Sequence, residues 1–232
     1  EAQNLAGKFR HELKFYINTA TYYVLRHRLS ALLSLDENAR EETGDYHIRS
    51  LYFDDREDSN LVTKIAGEDS REKFRVRIYN MEDSVIRLER KIKKDQYILK
   101  HSCGLTRKEF ELLMEGECSF LLQKDKLPAG AVYFSMKNKG LHPVKVVDYV
   151  REAYVHPIED VRITFDKDLR AGQSFDIFDK QMFTVPMLEK GMMVLEIKFN
   201  EFLPGYIRRA FDGIEAARSA ISKYAICRKY DL

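Results

Sequence analysis

The chain has 232 residues, with 39 Lys+Arg against 37 Asp+Glu, a formal charge of +2, and 44% hydrophobic residues. That length suits one large domain or two small ones, with a core that needs no disulfide or metal staple. The near-neutral total excludes a protein that grips nucleic acid by bulk charge, and 12% aromatic residues exclude a disordered chain.

In chain order the first element is a period-two strand, Phe9–Tyr16, followed by a helix over Thr19–Leu35. Asn18 or Thr19 can cap that helix, whose apolar stripe is Tyr22, Leu25, Leu29, Leu32 and Leu33. Alternation returns in Tyr46–Phe53, Lys73–Tyr79, Val85–Lys93 and Gln96–Lys100. A second helix starts at Thr106, where Thr106 and Glu109 have capping-box spacing. Strands follow at Lys145–Val155, Val161–Phe165 and Val194–Phe199, then Pro204 in a first helical turn, then a closing helix over Ile214–Ile226. No repeat, low-complexity tract or linker interrupts the series, so the expectation is one α+β domain spanning residues 1–232.

Several common chemistries are missing. Cys103, Cys118 and Cys227 are widely spaced, with no CxxC, which fits reduced thiols in a cytoplasmic chain. No run approaches the roughly 18 apolar residues of a membrane span, so a soluble chain is expected. GxGxxG, P-loop, nucleophile-elbow and HExxH motifs are absent. The six histidines show no ligand spacing and are read as structural or surface groups.

The polar faces of the strands are more informative. Alternation puts Arg10, Glu12 and Lys14 on one face; Lys73, Arg75 and Arg77 on another; Arg87, Glu89, Lys91 and Lys93 on a third. Arg162, Thr164 and Asp166, and then Glu196 and Lys198, continue the series. A wet outer sheet face is the ordinary explanation, but such a face mixes signs because like charges on neighbouring strands repel. Here cations dominate, and arginine's fork suits phosphate oxygens. The alternative is a closed antiparallel barrel of about eight strands with a basic lumen and helices packed outside. Such a lumen needs an anionic guest, and a chain of phosphates fits, with the few carboxylates left to hold a divalent cation.

The segments Arg10–Phe15, Ile48–Asp54, Phe74–Tyr79, Leu88–Lys91, Asp148–Tyr154, Val161–Asp166 and Val194–Lys198 resemble the catalytic domain of the vacuolar transporter chaperone (VTC) family. That family comprises polyphosphate polymerases within the triphosphate tunnel metalloenzyme, or CYTH-like, superfamily. The resemblance implies a transferase that moves the terminal phosphate of ATP onto polyphosphate. It implies Arg75, Arg77, Lys91, Arg151 and Arg162 as catalytic phosphate contacts, and Lys14, Lys64, Lys100, Lys198 and Lys223 as substrate-binding residues. Glu196, with Glu12 and Glu89, is the implied holder of Mn²⁺ or Mg²⁺. Arg10 replaces the first Glu of the superfamily's Glu-x-Glu-x-Lys motif, which points away from two-metal triphosphatase chemistry. ATP and polyphosphate are the implied partners, with no nucleic acid and a membrane protein outside this chain as a further partner. A tunnel triphosphatase, in which Glu12 or Glu89 orients water, and a non-catalytic polyphosphate-binding module are the competing readings. An RNA-binding β-protein lacks support, since no RNP-like aromatic motif is present.

Overall fold

Asn18 marks the first corner of the chain. Its side-chain oxygen accepts the Thr21 backbone N–H at 2.9 Å, where β1 (His11–Asn18) gives way to α1 (Thr19–Ser30). The computed structural model describes residues 11–40, 42–94, 97–156, 160–216 and 218–229. The expected strand residues Phe9, Arg10 and Gln96 lie outside them. The remaining elements are β2 (Ser34–Leu35), β3 (Asp45–Asp54), α2 (Ser59–Ile65), β4 (Arg71–Tyr79), β5 (Glu82–Lys94), β6 (Tyr97–Leu105), α3 (Arg107–Met114) and α4 (Ala129–Lys139). They continue with β7 (His142–Val155), β8 (Arg162–Gly172), β9 (Thr184–Pro186), β10 (Met192–Phe199), α5 (Gly205–Arg209) and α6 (Lys223–Cys227).

The ten strands are hydrogen-bonded in the order β1-β10-β8-β7-β3-β4-β5-β6, with β2 on β7 and β9 on β8. This is a mixed α/β chain built on a mostly antiparallel sheet. The expected closed barrel is corrected: among the described residues the path ends at β1 and β6, and the sheet does not close. The edge of β1 has another partner. Arg218 forms a bridge with Phe15, and the Ser219 N–H donates to the Lys14 carbonyl at 3.0 Å. Where it is covered in this way, at Lys14 and Phe15, the edge is less open to a further strand.

The same contact corrects the closing helix expected over Ile214–Ile226, which forms only at Lys223–Cys227. The segment around residue 218 gives its backbone bonds to a strand, so alanine-rich composition is overridden by pairing. Sequence patterning also passed over α2, α4, β2 and β9. α2 is nucleated from the preceding strand: the Asp54 carboxylate accepts the backbone N–H groups of Asn60 and Leu61 at 3.0 and 3.1 Å. The capping box at α3 forms as read, with Thr106 and Glu109 bonding each other's backbone.

The chain divides into two compact units. One comprises the residues up to His47 with Tyr149–Arg170 and Pro186–Ser222, and the other Ile48–Asp148, Ala171–Val185 and the residues from Lys223 on. Each has its own core. In the first, Leu25 and Leu29 of α1 pack with Ile163, Phe165, Leu195 and Ile197. In the second, Phe74, Val76 and Ile78 of β4 pack with Leu88 of β5 and with Phe110 and Leu113 of α3. In both units the apolar half of each alternating strand is consumed in the core, which leaves the charged half on the other face. The three cysteines are buried and unbridged. Among the described residues no helix is long and apolar enough to cross a membrane.

Candidate active site

The second unit arranges its charged face in rows. Lys73, Lys91 and Lys100 are direct cross-strand neighbours on β4, β5 and β6. The next row is Tyr52, Arg75, Glu89 and Ser102, and the one after it Ser50, Arg77 and Arg87. These three rows therefore hold six cations and one carboxylate, with Arg71 and Lys93 opposed in the row beyond them and Asp54 two residues past Tyr52 on β3. Directly opposed like charges are destabilising, so such a face is strained in the absence of an anion.

Glu89, only 1% exposed, ties the rows together. The Arg75 Nε donates to its Oε2 at 2.6 Å, and Lys100 forms an ion pair with its other oxygen. Burial pushes the Glu89 carboxyl up, but the charges of Arg75, Arg77 and Lys100 outweigh that and hold it well below the usual carboxylate range. Burial draws the Lys100 ammonium down, and Glu89 offsets only part of that effect. Arg75 Nη1 also donates to the Tyr52 hydroxyl at 2.9 Å, and Arg77 Nε donates to Ser50 Oγ at 3.1 Å. Each guanidinium thus has a fixed orientation.

Tyr52 stacks on Tyr224 of α6 with ring centroids 4.9 Å apart, and Tyr224 donates its hydroxyl to Asp54 at 2.6 Å. Burial raises the Tyr52 hydroxyl pKa, yet Arg75, Arg77 and Lys223 bring it below the ordinary value. Lys223, the first residue of α6, therefore adds its charge to this face. Lys64 stands half-buried in the last turn of α2.

The first unit carries a second charged face. Lys14, Glu196 and Thr164 form one cross-strand row on β1, β10 and β8; Glu12, Lys198 and Arg162 form the next. Arg151 of β7 grips Asp166 through two bonds of 2.7 and 2.8 Å and lies 3.8 Å from Glu196. Although burial opposes its charge, Asp166, Tyr149 and Glu196 hold Arg151 protonated well beyond the ordinary arginine range. Arg162 pairs with Asp36 and donates to the Tyr46 hydroxyl at 3.0 Å. Lys14 contacts Glu12 at 2.7 Å, and Lys198 contacts Glu196 at 3.0 Å.

A Mg²⁺-like ion needs oxygen donors and is commonly held by one or two carboxylates plus substrate phosphate. Among the described residues no three His, Cys, Asp or Glu side chains gather for a metal. Glu12 and Glu196 do stand diagonally on neighbouring strands, and Thr164, opposite Glu196, has a buried Oγ with no hydrogen-bond partner among the described residues. These oxygen donors fit an ion that also binds phosphate. Glu89 is already engaged by Arg75 and Lys100.

The sequence reading put these residues in one basic lumen; the registers place Arg75, Arg77, Lys91 and Lys100 on one face of the second unit, and Lys14, Lys198, Arg162 and Glu196 in two rows of the first. It gave no role to Ser50, Tyr52, Tyr224, Asp36 or Tyr46. Period-two counting along Ile48–Asp54 could have found Ser50 and Tyr52, whereas Tyr224 and Asp36 reach their partners only through tertiary folding.

The model of the VTC domain matches residues 9–230, nearly the whole chain. The chain belongs to the VTC domain family. No curated protein matches the sequence. Among solved structures, this VTC domain is similar to an adenylyl cyclase-like protein from Hippeastrum described as having a dominant triphosphatase activity. The two share 15% identity over 95% of this chain and 96% of that one, with a TM-score of 0.55. An adenylate cyclase-like protein from Vibrio parahaemolyticus aligns at 10% identity over 95% and 98% of the two chains, with a TM-score of 0.51. At these identities the likeness is one of fold.

Proposed function

We propose that this VTC domain is a polyphosphate polymerase that transfers the terminal phosphate of ATP to a growing polyphosphate chain in the cytoplasm. The observation that supports this most is the set of cationic rows on β4–β6, positive side chains around the buried carboxylate Glu89. In the reaction an oxygen of the acceptor's terminal phosphate attacks the γ-phosphorus of ATP. The new P–O–P bond forms as the β–γ bridge breaks and ADP leaves.

A terminal phosphate is already largely ionised near pH 7, its second pKa being about 6, so no general base is needed. Catalysis then consists of alignment and charge neutralisation. Arg75, Arg77 and Lys91 are assigned contacts to the equatorial oxygens, and Arg151 and Arg162 contacts of the same kind. Lys14, Lys64, Lys100, Lys198 and Lys223 would bind the phosphate chain. Glu89 is assigned the positioning of Arg75 and Lys100. Glu196 and Glu12 would hold Mn²⁺ or Mg²⁺, which supplies charge neutralisation at the bridging phosphate oxygens when bound.

A triphosphatase is the second reading, favoured by the activity described for the Hippeastrum protein. Incubation with ATP and Mn²⁺ distinguishes the two. The polymerase yields ADP with long acid-labile chains, and the hydrolase yields inorganic phosphate alone. Neither product, with retained polyphosphate binding, would reduce the chain to a binding module.

A further inference from the structure

A cleft of about 840 Å³ opens within the second unit, among Phe74, Arg90 and Ile92 of β4 and β5, α2, and the end of α4. Its volume falls in the range of roughly 300–1,000 Å³ typical of small-molecule sites. Phe74, Arg90 and Ile92 alternate with Lys73, Arg75, Glu89 and Lys91, so the cleft lies on the opposite face of these two strands from the cationic rows.

Its carboxylates are mostly engaged. Asp55 accepts the backbone N–H groups of Glu57 and Ser59 at 3.1 and 2.9 Å, closing the turn into α2. Glu72 is paired with Arg90, whose guanidinium stands 5.9 Å from the Phe74 ring centre. The cations are differently placed. Arg56 and Lys137 line the cleft and have no side-chain hydrogen bond or ion pair among the described residues, with Lys139 beside them; Arg71, at the rim, shares the strand parity of Lys73 and belongs with the rows. Lysines in the last turn of α4 have an ordinary use against the helix dipole, but that does not account for Arg56.

Arg56 is also seated. A Cβ on Gly140 would meet its Nε at 2.6 Å, and Gly140 itself has a φ of +63°. Only glycine allows both the turn that ends α4 and the passage of this guanidinium across it.

We infer that this cleft is a second anion site, for a small, multiply charged phosphate compound, separate from the cationic rows. The Arg56 fork and two lysines around a partly apolar floor match such a ligand. The inference rests on the cleft alone and not on the proposed reaction.

Calorimetric titration with tripolyphosphate tests it, using the wild-type chain, Arg56→Ala/Lys139→Ala and Arg75→Ala/Arg77→Ala. The wild type should show two classes of site. Arg56→Ala/Lys139→Ala should lose one, weakened at least about tenfold, while unfolding at the wild-type temperature and keeping its turnover. Arg56→Glu with Lys137→Glu should abolish the same class by charge reversal. Unchanged stoichiometry and affinity in both cleft variants overturns the site. A single wild-type class removed only by Arg75→Ala/Arg77→Ala overturns it equally, and leaves the reading of the rows intact.

Discussion

Glu89 accepts Arg75 through both Nε and Nη2, each 2.6 Å from the same carboxylate oxygen. Glu89 is 1% exposed, whereas the Arg75 side chain is 18% exposed, so the anchor is buried and the held group faces outward. A carboxylate in that position does two jobs. It offsets part of the repulsion among the neighbouring cations, and it fixes a guanidinium that also donates to the Tyr52 hydroxyl.

Replacing Glu89 by Gln should therefore destabilise the chain by about 2 kcal/mol at neutral pH, below the usual cost of breaking a buried pair because the Lys100 side chain is 47% exposed. The loss should vary with pH in a definite direction. The folded carboxyl is depressed below an unfolded value of about 4.3, so its contribution is complete above that value. As pH falls further the unfolded chain binds a proton that the folded chain refuses, and the contribution is lost. Urea unfolding should show the two proteins furthest apart at pH 7 and converging in acid. A gap that widens in acid would contradict the assignment.

Arg77 offers a cleaner test of catalysis than Arg75. Its Nε donates to Ser50 Oγ, a neutral partner, whereas removing Arg75 also takes a cation from buried Glu89. Arg77→Ala should lower kcat by about 10²–10³-fold, the usual cost of losing one donor to developing charge. Its melting temperature should stay near wild type. Wild-type turnover in this variant would remove Arg77 from the site.

The alternation that exposed these rows was legible because it is local: Lys73, Arg75 and Arg77 are two residues apart whatever the strands do next. The cap at Asn18 and the capping box at Thr106 were legible for the same reason. Closure of the sheet was not, since it depends on what pairs with the edge of β1, and that is decided by Arg218 and Ser219 some two hundred positions away. Tyr224 is a similar case: its hydroxyl on Asp54 and its ring on Tyr52 carry no sequence signal.

Asp166 is fully buried and holds Arg151 through a bidentate contact. Asp166→Asn should cost about 3–5 kcal/mol, because a guanidinium that is itself 8% exposed would lose its charged partner. Chemical denaturation measures this directly. A near-neutral result would mean that Glu196, 3.8 Å away, takes over the pairing.

Glu196 offers the sharpest test of metal dependence. Lys198 lies 3.0 Å from one of its oxygens and Arg151 3.8 Å from the other, so the carboxylate is balanced between cations on its own sheet face. A divalent ion bound there would compete with Lys198, and the deletion of charge in Glu196→Gln should weaken metal far more than nucleotide. Titration of Mn²⁺ in the presence of tripolyphosphate should then show metal affinity falling by about 10-fold or more, with the metal-stimulated share of turnover lost. Stability should fall only modestly, since Asp166 still pairs Arg151. Glu12→Gln is the companion variant: Lys14, 2.7 Å from it, also lies directly across from Glu196, so a smaller loss of metal affinity is expected there. If both variants bind Mn²⁺ as the wild type does, the ion is held elsewhere, and these two carboxylates serve only to balance the lysines beside them.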